Sequence, residues 1–136
     1  MARILVIDDQ EHIRFIIKSL LTRDNHEIAL AENGKVGLQL VKSGQFDLVI
    51  TDVVMPEMDG FEVIAGLKKL APDIGLIVMS GGGVKLDMEN LLVMATYMGA
   101  DRAISKPLDF TRLQVAVREV LAARKTVSGC DTGEFV

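Results

Sequence analysis

Four short, mostly apolar runs in this chain each end on a residue with reactive chemistry. Ile4-Leu5-Val6-Ile7 precedes Asp8 and Asp9, and Leu48-Val49-Ile50-Thr51 precedes Asp52. Leu76-Ile77-Val78-Met79 precedes Ser80, and Arg102-Ala103-Ile104-Ser105 precedes Lys106-Pro107. Runs of this length, enriched in β-branched residues, read as buried parallel strands. Laid side by side, they bring these polar groups to one edge of a sheet, the carboxyl edge, where open α/β sheets bind ligands. Three carboxylates, a hydroxyl and an ammonium gathered there suit a divalent cation and a phosphoryl group.

A fifth strand-like run begins near Ile28, and segments of helical spacing lie between the runs. The first, Glu11 to Arg23, carries Ile13, Phe15, Ile16, Ile17, Leu20 and Leu21 as a wide apolar face. The second runs from Gly34 to Lys42, and the third from Gly60 to Leu70 with Pro72 as a stop signal just beyond. The fourth, Leu86 to Met98, is unusually apolar and ends at Gly99. The fifth starts at Asp109 or Thr111, either of which can serve as an N-cap. Strand and helix alternate five times, with connections long enough for βαβ crossovers, so the pattern predicts a parallel sheet covered on both faces.

At 136 residues the chain fits one domain. From Arg124 onward the periodicity fades, which places the domain at residues 1–123 and a flexible tail at 124–136. A net charge of −4 argues against nucleic-acid binding by this domain alone. The single cysteine, Cys130, has no partner for an intrachain disulfide, and no basic-then-apolar leader opens the chain. The expected location is cytoplasmic. His12 and His26 have no metal-ligand companions at suitable spacing and read as ordinary surface or helix residues.

Taken together, Asp8-Asp9, Asp52 within the stretch from Asp47 to Gly60, Ser80, and Lys106-Pro107 resemble the receiver domain of two-component response regulators, of the single-domain chemotaxis type. The resemblance covers Arg3 to Ala123. It implies a flavodoxin-like, doubly wound (βα)5 fold with strand order 2-1-3-4-5. It also implies a phosphoacceptor switch rather than an enzyme, with at most slow self-phosphorylation and autodephosphorylation. Asp52 would take a phosphoryl group from the phosphohistidine of a histidine kinase or a histidine phosphotransfer protein. Asp8, Asp9, Asp52 and the backbone carbonyl of Val54 would hold Mg²⁺, Lys106 would pair with a phosphoryl oxygen, and Ser80 would donate to another. A cis Lys106–Pro107 peptide is implied in the same way. Charge supports the metal: three carboxylates against one ammonium leave an excess that one divalent cation cancels, and Mg²⁺ favours carboxylate and phosphate oxygens.

Each residue also has a plainer reading. Asp8 alone reads as a helix cap, Asp9 as a solvated loop residue, Ser80 before Gly81-Gly82-Gly83 as turn chemistry, and Lys106 as a surface lysine. Asp52 is harder to set aside, because a carboxylate directly after a buried run is costly without a partner.

The chain departs from the family pattern at Ala103, three positions before Lys106, where receivers usually carry an aromatic switch residue. The three glycines after Ser80 predict a mobile loop. The apolar fourth segment is either deeply packed or part of a partner or dimer face with the fifth strand and fifth helix, where Met88, Met94 and Met98 suit an adaptable contact. A stand-alone receiver is the leading reading, with the receiver portion of a longer regulator as the alternative. A flavodoxin-like small-ligand binder is disfavoured, because the first strand–helix turn carries two acids in place of a phosphate-cradling glycine loop. An aspartyl phosphohydrolase would also need a positioned general acid or base, which the sequence does not offer.

Overall fold

A computed structural model describes residues 2–53, 60–80, 93 and 96–130. Val54, the glycines at 81–83, most of the Leu86 to Met98 segment with Met88 and Met94, and residues 131–136 lie outside the described residues. Strands β1 (Arg3–Ile7), β2 (Glu27–Ala31), β3 (Leu48–Asp52), β4 (Gly75–Ser80) and β5 (Arg102–Ser105) alternate with helices α1 (Glu11–Thr22), α2 (Gly34–Ser43) and α3 (Gly60–Leu70), and α4 (Phe110–Cys130) follows β5. All strand pairs are parallel, in the order β2-β1-β3-β4-β5. This is the flavodoxin-like doubly wound sheet.

Burial follows strand position. The interior strands β3 and β4 are buried at every residue, whereas the edge strands β2 and β5 are mostly half-buried or exposed. Side chains alternate between two cores, as a period of two requires. Leu5, Ile7, Val49, Leu76 and Val78 face one layer with Val63, Ile64 and Leu67 of α3. Ile4, Val6, Leu48, Ile50, Ile77 and Met79 face the other, with Ile17 and Leu21 of α1 and Leu113, Ala116, Val117 and Val120 of α4. The last four recur at helical spacing, which explains why that stretch is a helix and which face it buries. The apolar face of α1 is narrower than its composition suggests: Phe15 is 55% and Ile16 41% exposed.

Helix ends decide two of the alternatives that the sequence leaves open. Asp109 is the residue that caps α4, its Oδ1 accepting from the backbone N–H of Thr111 (3.0 Å) and Arg112 (3.2 Å). Asp8 does not cap α1, whose N-cap is Gln10 without a side-chain bond. The end of α4 also differs from the expected tail, since the helix continues past Ala123 to Cys130. Arg124 is tied down there, pairing with Asp101 (2.9 Å) and donating to the carbonyl of Asp73. Asp101 in turn accepts from the N–H of Leu76 at 2.8 Å, so this part of α4 is fastened to the amino edge of the sheet. His26 is more than a surface residue as well: it is half-buried before β2, and its Nδ1 accepts from the Ala2 N–H at 3.1 Å. Burial holds its pKa below the ordinary histidine value, against the raising influence of Asp24.

Helix α2 lies close to β1 because Gly37 has no side chain: a Cβ there would collide with the fully buried Ile7. Gly37→Ala is therefore expected to destabilise the fold by about 1–3 kcal/mol despite its better helix propensity. Urea unfolding monitored by circular dichroism measures this, and an unchanged or raised midpoint contradicts the packing argument.

Candidate functional site

The parallel register places the polar residues at the strand ends on one edge. Asp52 is the last residue of β3 and pairs with Met79, while Ser80 ends β4 opposite Ser105. Backbone bonds continue each ladder just past the strands, from Asp8 N–H to the Ala31 carbonyl (3.1 Å), Val53 N–H to the Met79 carbonyl (2.9 Å) and Lys106 N–H to the Ser80 carbonyl (2.8 Å). The edge is thus held by main chain on both sides of the acidic group, and its side chains start from fixed points. The Lys106–Pro107 peptide is cis.

Three carboxylates converge. One oxygen from each of Asp8, Asp9 and Asp52 lies within 4.8 Å of the others. Asp8 is fully buried, Asp52 is only 4% exposed and Asp9 is open to solvent. Lys106 reaches into this group, with its Nζ donating to Asp52 Oδ2 at 2.8 Å and to Asp8 Oδ2 at 2.9 Å. The other oxygen of Asp8 accepts from the Gln10 N–H at 2.8 Å, a local turn that satisfies the buried carboxylate and sets its orientation. Burial alone would lower the pKa of Lys106, but the hydrogen bonds and charges of Asp52 and Asp8 outweigh it and raise the value above that of an ordinary lysine.

Ser80 completes the edge. It is fully buried, and its Oγ has no hydrogen-bond partner among the described residues. An orphaned hydroxyl beside an acidic cluster is costly unless it serves an incoming acceptor. The donor set is all oxygen, with one acid facing solvent and two fixed, and this composition suits a hard divalent cation better than a soft metal. Of the expected residues, Asp8, Asp9, Asp52 and Lys106 are brought together at one point and Ser80 ends the strand beside β3, while Val54 falls outside the described residues. The sequence does not single out Arg14, whose Nη1 donates to the Asp8 carbonyl at 2.7 Å. Its position in the first turns of α1, five residues after Asp9, is the signal that could have found it.

A cavity of about 690 Å³ lies at the opposite, amino edge, lined by His26, Phe46, Ile74, Leu121 and Arg124 among others. None of the clustered carboxylates lines it. Chemistry rather than size marks the carboxyl edge as the candidate site. Among the described residues, no helix is long and apolar enough to cross a membrane.

Comparison with known proteins agrees with this geometry. A family model described as the response regulator receiver domain matches residues 4–118. The DNA-binding transcriptional regulator NtrC of Azospirillum brasilense is 38% identical over 120 residues, which span 88% of this chain and 24% of that protein. The chain therefore spans about a quarter of the length of that relative. A receiver domain protein from Clostridium thermocellum is 32% identical with a TM-score of 0.83, covering 93% of this chain and 99% of the other. The response regulator TrrA of Thermotoga maritima, solved in complex with Mg(2+)-BeF, is 32% identical with a TM-score of 0.76, covering 88% of this chain and 99% of that one.

The site geometry sets two expectations. A raised Lys106 pKa means that its ion pairs stabilise the fold fully below the unfolded lysine value of about 10.4, and that this contribution fades as pH rises through the folded value. Lys106→Met should remove that alkaline loss, read as the urea midpoint followed from about pH 8 to about pH 11; identical alkaline slopes for both proteins would contradict it. Ser80→Ala should leave stability unchanged or slightly higher, because it deletes a buried hydroxyl without a partner among the described residues. A fall of more than about 1 kcal/mol would show that the hydroxyl is already satisfied.

Proposed function

Since the chain belongs to the response regulator receiver family, a family of signalling phosphoacceptors, we propose that Asp52 is the residue that accepts the phosphoryl group. The observation that carries this reading is the burial of Asp52 beside two further acids, with the Lys106 ammonium 2.8 Å from its Oδ2. A carboxylate oxygen of Asp52 attacks phosphorus, the new O–P bond forms as the P–N bond of a phosphohistidine breaks, and the electron pair leaves with the imidazole nitrogen. Lys106 stays at the attacked carboxylate and neutralises charge on the incoming oxygens. The Ser80 hydroxyl, fully buried at the end of β4, donates to one of those oxygens.

Asp8, Asp9 and Asp52, with the carbonyl of Val54, would hold Mg²⁺, and the fit rests on the three converging carboxylate oxygens. When bound, the ion supplies positive charge to the phosphoryl oxygens. Asp9, open to solvent, is the direct ligand we favour, with Asp8 reaching the ion directly or through water. The protein is a switch and not a turnover enzyme, with at most slow self-phosphorylation and autodephosphorylation.

The phosphodonor is a histidine kinase or histidine phosphotransfer protein, and the site of action is the cytoplasm. Output passes to a downstream protein or a second copy through the face shared by the apolar fourth segment, β5 and α4. There Tyr97 is 92%, Val93 65% and Val115 42% exposed, and a cavity of about 490 Å³ is lined by Arg102, Ala103 and Val115 among others. With Ala103 in the usual aromatic position, that output cannot use an aromatic rotamer at this position. The receiver unit begins at residue 1 and takes in α4 beyond residue 123, where Arg124 is paired with Asp101, and the unit contacts neither nucleic acid nor membrane. A second reading, the receiver portion of a longer regulator, is favoured by the length of the NtrC relative, of which this chain spans 24%.

Acetyl phosphate with Mg²⁺ tests the proposal and its rivals together. The expected result is one phosphoryl group per chain, lost in Asp52→Asn and when chelator removes the metal. Release of many equivalents of phosphate per chain would mark a hydrolase, and no labelling at all would favour a small-ligand binder.

A further inference from the structure

We infer that Arg14 is a positioning residue for the acidic ligands, acting through the peptide that joins Asp8 to Asp9. The inference rests on the metal reading above and extends it to a residue that does not itself touch the ion. Arg14 lies on α1 one turn after Gln10, whose carbonyl accepts its backbone N–H at 3.2 Å. Its guanidinium turns back over the loop, and Nη1 donates to the Asp8 carbonyl at 2.7 Å.

With this bond every polar group of Asp8 has a partner. Its N–H donates to Ala31, its Oδ1 accepts from Gln10, its Oδ2 accepts from Lys106 and its carbonyl accepts from Arg14. The first three fix the start of Asp8 and its side chain. Among the described residues, only the Arg14 bond acts on the far end of the residue, the peptide plane leading into Asp9. A peptide unit is rigid, so holding its carbonyl also holds the direction in which the next residue departs. Asp9 is exposed, and its carboxylate joins the cluster from the end of that peptide; its aim is therefore set by the backbone that precedes it. A charge-assisted bond of 2.7 Å is a strong restraint for that purpose.

Arg14 has two opposing influences on a cation at this site. As a restraint it preorganises Asp9 and favours binding, and as a positive charge it repels the ion. Its guanidinium is bonded to a carbonyl rather than to any of the three clustered carboxylates, which places its main effect on the backbone. Positioning therefore dominates, in the way that outer partners of metal ligands commonly set affinity.

Isothermal titration of the full chain with Mg²⁺ alone, without phosphodonor, decides between the two influences. Arg14→Met should weaken Mg²⁺ binding by about tenfold, while the melting temperature without metal stays close to that of the unsubstituted protein. Arg14→Lys keeps the charge and a donor nitrogen and should recover most of the loss. Binding that is equal or tighter in Arg14→Met overturns the inference, because it leaves only the repulsive charge. A large fall in melting temperature with unchanged affinity overturns it too, by assigning Arg14 a purely structural role. Should Arg14→Met not fold, Arg14→Gln, with a shorter and neutral donor, is read by the same criteria. Failure of the unsubstituted chain to take up Mg²⁺ would instead sink the metal reading itself, so the two failures are distinguishable.

Discussion

The Lys106 ammonium, bridging Asp8 Oδ2 and Asp52 Oδ2 at 2.9 and 2.8 Å, is the interaction on which the carboxyl edge depends. Both acids are almost wholly removed from water, and a buried charge without a partner is among the costliest features a fold can carry. Breaking such a pair from one side commonly costs about 3–5 kcal/mol, because the remaining ion is stranded. One lysine shared by two carboxylates satisfies charge only in part. The site is consequently stable enough to persist and still negative enough to attract a cation. A pocket built this way holds its buried carboxylates in place while keeping a reason to bind something positive.

The sheet makes that arrangement possible. The interior strands β1, β3 and β4 are buried almost throughout, so their ends start from well-packed backbone, and Asp8, Asp52 and Ser80 each sit at one of them. Backbone bonds from Asp8, Val53 and Lys106 carry the ladders one residue further. The edge strand β5 leads into Lys106, whose long side chain spans the distance from the end of the row to its centre. A lysine suits this place because four methylenes give reach, and a compact ammonium can donate to two acceptors at once.

At the opposite edge the same construction serves stability. Arg124, Asp101 and the Leu76 N–H form a chain that fastens α4 to the start of β4, and Lys68 reaches the Ile74 carbonyl beside it at 3.4 Å. Partial burial lowers the pKa of Lys68, against the raising influence of Asp101. Arg124 and Asp101 are matched one to one there, whereas across the sheet Asp8 and Asp52 share a single lysine and Asp9 adds a third carboxylate to the cluster. The unbalanced negative charge thus lies at the carboxyl edge and not beside the cavity at the amino edge.

Local pattern alone specified the strands, the bounds of α3 from Gly60 to Leu70, and the candidate residues Asp8, Asp9, Asp52, Ser80 and Lys106, because buried runs and helical spacing are properties of neighbouring residues. It did not reveal that Phe15 and Ile16 point outward, that Arg124 is tied to Asp101, or that Arg14 grips the Asp8 carbonyl. Hydrophobicity says that a side chain prefers burial, but only the packing of α1 against the sheet decides which of its apolar residues find room. Likewise a carboxylate, a hydroxyl and a lysine can be named from composition and order. Whether one ammonium lies within hydrogen-bonding distance of two acids, 98 and 54 residues away in the chain, is settled only when the parallel register brings the strand ends together.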